Sequence, residues 1–86
     1  MQYTRENYQI KMKINCKEYI STNPKVMLGK PVIKGTRIPV DLILEKLALG
    51  ESIEQLLKAY PNITKESIYA CLYFASESIK NEIILA

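Results

Sequence analysis

The chain has no histidine in its 86 residues. That absence removes the commonest general acid and base together with the commonest metal ligand, so no Ser/His/Asp, Cys/His or His-Glu-x-x-His arrangement exists. Cysteine is scarce too. Cys16 and Cys71 stand far apart, without a Cys-x-x-Cys spacing, at apolar positions that suit reduced thiols. No apolar run approaches the roughly 18 residues that span a bilayer. The opening "MQYTRENYQIKMK" carries charges where a secretory signal would place its apolar segment, so a cytoplasmic protein is expected. With no acid pair, nucleophile or metal signature in view, the expected protein is not an enzyme and needs no cofactor.

Glycine and proline are also few, three and four, and five of these seven fall between residues 24 and 39. The segment "STNPKVMLGKPVIKGTRIP" is therefore turn-rich, with room only for short extended pieces near 26–28, 31–33 and 37–38. Gly35 is expected at a left-handed turn position that a Cβ would strain. A phosphate-cradling loop is excluded here, because Gly29 and Gly35 are separated by five residues and Thr36 follows Gly35 with no lysine between them.

What the chain does contain is an ordinary globular mixture, 48% hydrophobic and 24% charged. A single domain of this size buries roughly 60 to 65% of its unfolded surface, which leaves a thin core and favours a partner or a homodimer. The net charge of +3 is unevenly spread: residues 1–40 hold eight basic and two acidic side chains, +6, whereas residues 41–86 hold four and seven, −3. A basic N-terminal part suits a polyanion such as double-stranded DNA, and equally a solvated face.

Residues 8–17, "YQIKMKINCK", alternate Tyr8, Ile10, Met12, Ile14 and Cys16 with polar side chains, the pattern of a half-buried strand. The expected role of this 1–17 extension is a dimerisation arm, pairing with its copy in a second subunit. After Pro39 the period becomes helical. Val40, Ile43, Leu44 and Leu47 define a first helix that ends at Gly50 in a left-handed cap. Ser52 and Gln55 form a capping-box pattern for a second, with Ile53, Leu56, Leu57 and Tyr60 on one face and Pro61 as its stop. Thr64 opens the third and longest, with Ile63 and Ile68 as a hydrophobic staple and an inward stripe of Ile68, Cys71, Leu72, Ala75 and Ile79.

A short helix, the turn "PNIT" and a longer helix make the order of a helix-turn-helix unit, whose last helix enters a DNA major groove. On that reading Thr64, Lys65, Ser67 and Tyr69 face the DNA, with Lys30, Lys34 and Arg37 supplying phosphate contacts. The first two turns of the helix hold no arginine, asparagine or glutamine, the usual partners of base edges. The alternative is a protein-interaction module, with Tyr69, Tyr73 and Phe74 packed on another chain. Arg37 likewise has two readings, a DNA contact or a bond to the last carbonyls of a neighbouring element.

"GKPVIKGTRIPV", the leucine-rich helix ending in glycine, and "YPNIT" together closely resemble the DUF433 family of small bacterial and archaeal proteins, over residues 18–82. Gly29, Pro31, Gly35, Thr36, Arg37 and Pro39 carry the match. The resemblance implies a mainly α fold: a three-helix homeodomain-like or winged helix-turn-helix domain, residues 18–86, preceded by a short β element. It implies no catalysis, and an antitoxin-like, autoregulatory role beside a PIN-like ribonuclease toxin similar to that of VapB-type proteins. Tyr69 and Tyr73 on the last helix, with Ile83 and Ile84 at its end, are the residues expected to meet such a partner.

Overall fold

The punctuation read from the sequence sets the element boundaries. The structure, a computed structural model, describes residues 14–25 and 27–85. In chain order these form α1 (Cys16–Tyr19), β1 (Ile20–Ser21), a 3-10 turn (Met27–Gly29), β2 (Val32–Ile33), α2 (Val40–Ala48), α3 (Ile53–Ala59) and α4 (Lys65–Leu85). The protein is a small, mainly helical domain with a two-stranded antiparallel sheet, in which Ile20 pairs with Ile33 and Ser21 with Val32.

The helices α2, α3 and α4 lie where the 3.6-residue period places them, because their ends are fixed locally. Beyond α2, Gly50 takes φ 102°, its amide donates to the Leu47 carbonyl and the Glu51 amide to the Lys46 carbonyl, so a left-handed glycine satisfies the last open carbonyls. At α3 the Ser52 hydroxyl accepts from the Gln55 amide at 3.1 Å and the Gln55 side chain accepts from the Ser52 amide at 2.7 Å. Ile63 and Ile68 are both buried, as a staple requires. The core gathers Ile20, Ile33, Val40, Ile43, Leu56, Ile63, Ile68, Ala70 and Cys71, with Phe74 and Leu44 packed against it.

Several expectations are corrected. There are four helices among the described residues, not three. Of the strand expected over 8–17, residues 8–13 lie outside the described ones, and Cys16 and Lys17 are helical. The Asn15 side chain accepts from the Lys17 amide at 3.1 Å, and this local cap competes successfully with a ladder. Among the described residues the sheet begins at Ile20, which the period-two pattern does not reach. Of the extended piece expected at 26–28, residue 26 lies outside the described ones and Met27–Gly29 is a turn, where Leu28 has φ 59° and stands 98% exposed. Residues 37–38 form no strand; Ile38 accepts the Ile33 amide at 2.9 Å and Val32 bridges Pro39. On α4 the inward face is Ser67, Ile68, Ala70, Cys71 and Phe74, while Leu72 and Ile79, expected inside, are 43% and 56% exposed. No helix among the described residues is long and apolar enough to cross a membrane.

Candidate functional site

β2 ends in a turn that backbone bonds and one hydroxyl hold together: the Thr36 amide donates to the Ile33 carbonyl at 3.0 Å and the Ile33 amide to the Ile38 carbonyl at 2.9 Å. Thr36 donates from Oγ1 to the Ile33 carbonyl at 2.7 Å and accepts from the Ile38 amide at 3.0 Å, closing the turn on both sides. Gly35 sits at φ 81°, in the left-handed region where a Cβ strains the backbone even though nothing lies within 4 Å of one. The Lys34 amide donates to the Tyr19 carbonyl at 2.7 Å, fastening the turn to the end of α1. Arg37 is thereby directed outward, exposed, and forms no side-chain hydrogen bond or ion pair among the described residues.

This turn borders a cleft of about 670 Å³ of mixed character, in which Ser21, Asn23, Thr36, Arg37 and Asn62 are set against the apolar Val32 and Ile38. Asn23 comes from the Asn-Pro turn after β1 and Asn62 from the Pro-Asn turn between α3 and α4, so three separate turns converge on one surface. A guanidinium offers a fixed fork of donors and a carboxamide both donors and an acceptor, the Asn23 oxygen being taken by the Lys25 amide at 2.9 Å; a set so rich in donors suits phosphate, carboxylate or the polar edge of a base. In the sequence Asn23 and Asn62 stand out only as turn residues. Their signal was the proline beside each.

The remaining expected site residues divide by accessibility. Lys65 is exposed at the start of α4 and Tyr69 half-buried one turn on. Ser67 is withdrawn as a DNA contact: it is 4% exposed, accepts from the Thr64 amide at 2.9 Å, and donates to the Thr64 carbonyl at 2.7 Å. The Thr64 hydroxyl in turn accepts from the Ser67 amide at 3.2 Å, so both side chains cap α4. Lys30 pairs with Asp41 at 3.0 Å, and the Lys34 ammonium donates to the Lys17 carbonyl at 2.8 Å. Tyr73 is exposed. Ile83 and Ile84 belong to the last turns of α4, with side chains outside the described ones.

Both thiols are pushed above the ordinary cysteine range. Burial, then the neighbouring Cys16, pushes the Cys71 thiol up to about 12. Cys16 is raised too, by burial and then by Glu77, and its Sγ lies 3.9 Å from the Ala70 carbonyl. No cluster of residues able to hold a metal occurs among the described ones.

Residues 20–75 match the family described as "Protein of unknown function (DUF433)". The chain belongs to the DUF433 family. A crystal structure of a DUF433 member protein from Anabaena variabilis superposes with a TM-score of 0.65 at 32% identity, over 76% of this chain and 67% of that one. The uncharacterized protein y4eO of Sinorhizobium fredii is 34% identical over 59 residues, 69% of this chain but 27% of that protein. An uncharacterized protein of Archaeoglobus fulgidus is 71% identical over 24 residues, 28% of this chain and 67% of its own length. The DUF433 match takes in every turn that lines the cleft, and it stops inside α4, leaving that helix's C-terminal part beyond it.

Proposed function

We propose that this DUF433 chain is a cytoplasmic, antitoxin-like DNA-binding regulator, in which α3 and α4 act as a helix-turn-helix pair and two copies address a symmetric operator. The observation that carries the reading is the shared cleft of Arg37 and Asn62. It brings the exposed guanidinium beside the turn that leads into α4, so a phosphate held by Arg37 would lie next to a base-facing start of that helix. Lys65 and Tyr69 supply the groove-facing side chains, with Lys65 on a phosphate and Tyr69 on a phosphate or a thymine methyl. Lys30 and Lys34, partly engaged within the chain, add to the positive field more than to specific contacts. In this reading the chain catalyses nothing. A PIN-like ribonuclease would be held by Tyr73 and the end of α4, including Ile83 and Ile84.

Fluorescence anisotropy with the DNA upstream of the chain's own gene, across a salt series, tests the reading. Arg37→Gln should weaken binding to all sequences alike and reduce the salt slope by about one. Absence of binding at low salt by folded protein overturns the DNA role.

A second reading, a protein-interaction module without DNA function, is favoured by an apolar groove between α2 and α4 and by the exposed Leu72, Tyr73 and Ile79. Alanine at Tyr69 and Tyr73, compared with alanine at Lys34 and Arg37, separates the two. Loss of a co-purifying protein partner through the tyrosines, with DNA binding absent throughout, selects the second.

A further inference from the structure

The cleft beside the β2 turn gathers polar side chains that the chain itself leaves unused. Among the described residues the Arg37 guanidinium, the Asn62 carboxamide and the Ser21 hydroxyl form no side-chain hydrogen bond or ion pair, although they come from separate parts of the fold: the turn after β2, the turn between α3 and α4, and the end of β1. The frame that holds them is fixed by backbone. Thr36 closes one wall, and the Lys34 amide fastens that wall to the Tyr19 carbonyl at 2.7 Å. On the other side the Ile63 amide donates to the Tyr60 carbonyl at 3.1 Å and the Ile63 side chain is buried, which anchors Asn62 beside it. A volume of about 670 Å³ lies within the range of small-molecule sites, roughly 300 to 1,000 Å³.

We infer that this cleft binds a nucleoside monophosphate. Charge selects an anion, because among the described residues Arg37 is the one charged member of the lining and no carboxylate opposes it. The balance of donors selects phosphate over carboxylate. A guanidinium carries five N–H donors and each carboxamide a further pair, while the Thr36 hydroxyl and the Asn23 oxygen are already engaged. A carboxylate uses only a few of these donors, whereas a phosphate monoester presents three terminal oxygens to them. One cation matches one phosphate group rather than a chain of two or three. The rest of the lining selects what that phosphate is attached to. Val32 and Ile38 offer an apolar wall to a flat ring, and the Asn62 carboxamide sets donors beside an acceptor, the combination that pairs with base edges. The inference shares Arg37 with the regulator reading without depending on it: a nucleotide seated here would occupy the guanidinium that a DNA phosphate would use.

NMR of the isotope-labelled full chain, titrated at fixed ionic strength with adenosine monophosphate, uridine monophosphate, adenosine and inorganic phosphate in turn, tests the inference without DNA. The side-chain amide signals of Asn23 and Asn62 and the Arg37 Nε–H signal should shift together. Either nucleotide should bind with a Kd below about 1 mM, at least about tenfold tighter than adenosine or inorganic phosphate. Arg37→Gln should bring the nucleotides down to the affinity of adenosine, and Asn62→Ala should weaken the nucleotides more than it weakens inorganic phosphate. Both side chains are exposed, so circular dichroism should show both variants folded. Lys80→Gln removes the same charge toward the far end of α4 and should change nothing. Inorganic phosphate that binds as tightly as the nucleotides means an adventitious ion only and overturns the inference. Shifts that miss the cleft, or a Lys80→Gln loss equal to that of Arg37→Gln, overturn it as well, since both mark diffuse surface charge. A cleft that takes nucleotides in a chain that ignores DNA supports the inference while sinking the regulator reading. A DNA-binding chain whose cleft ignores nucleotides overturns the inference and leaves that reading standing.

Discussion

At the scale of single residues, Thr36 shapes the turn that borders the cleft. Its hydroxyl serves an amide and a carbonyl on opposite sides of one turn, beside the backbone bonds from the Thr36 amide to the Ile33 carbonyl and from the Ile33 amide to the Ile38 carbonyl. Thr36→Val keeps the shape and removes both bonds; it should cost about 1 to 2 kcal/mol in urea unfolding, while Thr36→Ser should cost less than half as much. Cys71 gives a second prediction, with a defined pH window. The unfolded thiol releases its proton near 9.0, while the folded one holds it to about 12 because burial disfavours the thiolate. Between those values the folded state binds more protons than the unfolded state. Stability present below pH 9 is therefore lost as pH climbs toward 12, by up to about 1.4 kcal/mol per pH unit from this group. Urea unfolding from pH 8 upward should fall less steeply for Cys71→Ala than for wild type; parallel profiles would show that the thiol is not protected as its burial indicates.

Among elements, the caps explain which parts of the fold could be read directly. Ser52→Ala should destabilise the domain by about 1 kcal/mol, because it strips the α3 capping box of its acceptor. Gly50→Ala should cost about the same, as φ 102° is hostile to a side chain. Melting curves of the two variants check both values. Such signals are local, which is why α2, α3 and the start of α4 were legible from residues 40–68 alone. The strand expected across Cys16 and Lys17 failed for a reason equally local, since the Asn15 side chain captured the Lys17 amide. The facing of α4 failed for a tertiary reason. Its apolar residues encircle much of the helix, and only contact with α1, α2 and α3 decides that Phe74 turns inward and Ile79 outward. The same limit applies to the cleft. Arg37 stood out by its charge and its exposed turn, but nothing in the chain's local pattern joins it to Asn23 and Asn62.

For the whole molecule, the formal charge of +3 overstates some of what a polyanion would meet and conceals where it can be changed. The Lys30–Asp41 pair lies on the border between the basic N-terminal part and the acidic helical part, with roughly half or more of each side chain exposed. An exposed pair of this kind contributes only about 0 to 1 kcal/mol to folding, so releasing it should scarcely move the unfolding midpoint. Its effect on a DNA partner should be larger. Asp41→Asn removes the negative neighbour and leaves the Lys30 ammonium free to displace a counterion from a phosphate. If Lys30 lies on the DNA side with Arg37, anisotropy at several salt concentrations should show tighter binding at low salt, and a log–log slope steeper by up to about 0.9 for each protomer engaged. Arg37→Gln should move the slope the opposite way, and because the two side chains sit on separate turns their effects should add. An Asp41→Asn chain whose salt slope matches wild type would place Lys30 off the DNA side, confining the electrostatic footprint to Arg37, Lys34 and the start of α4.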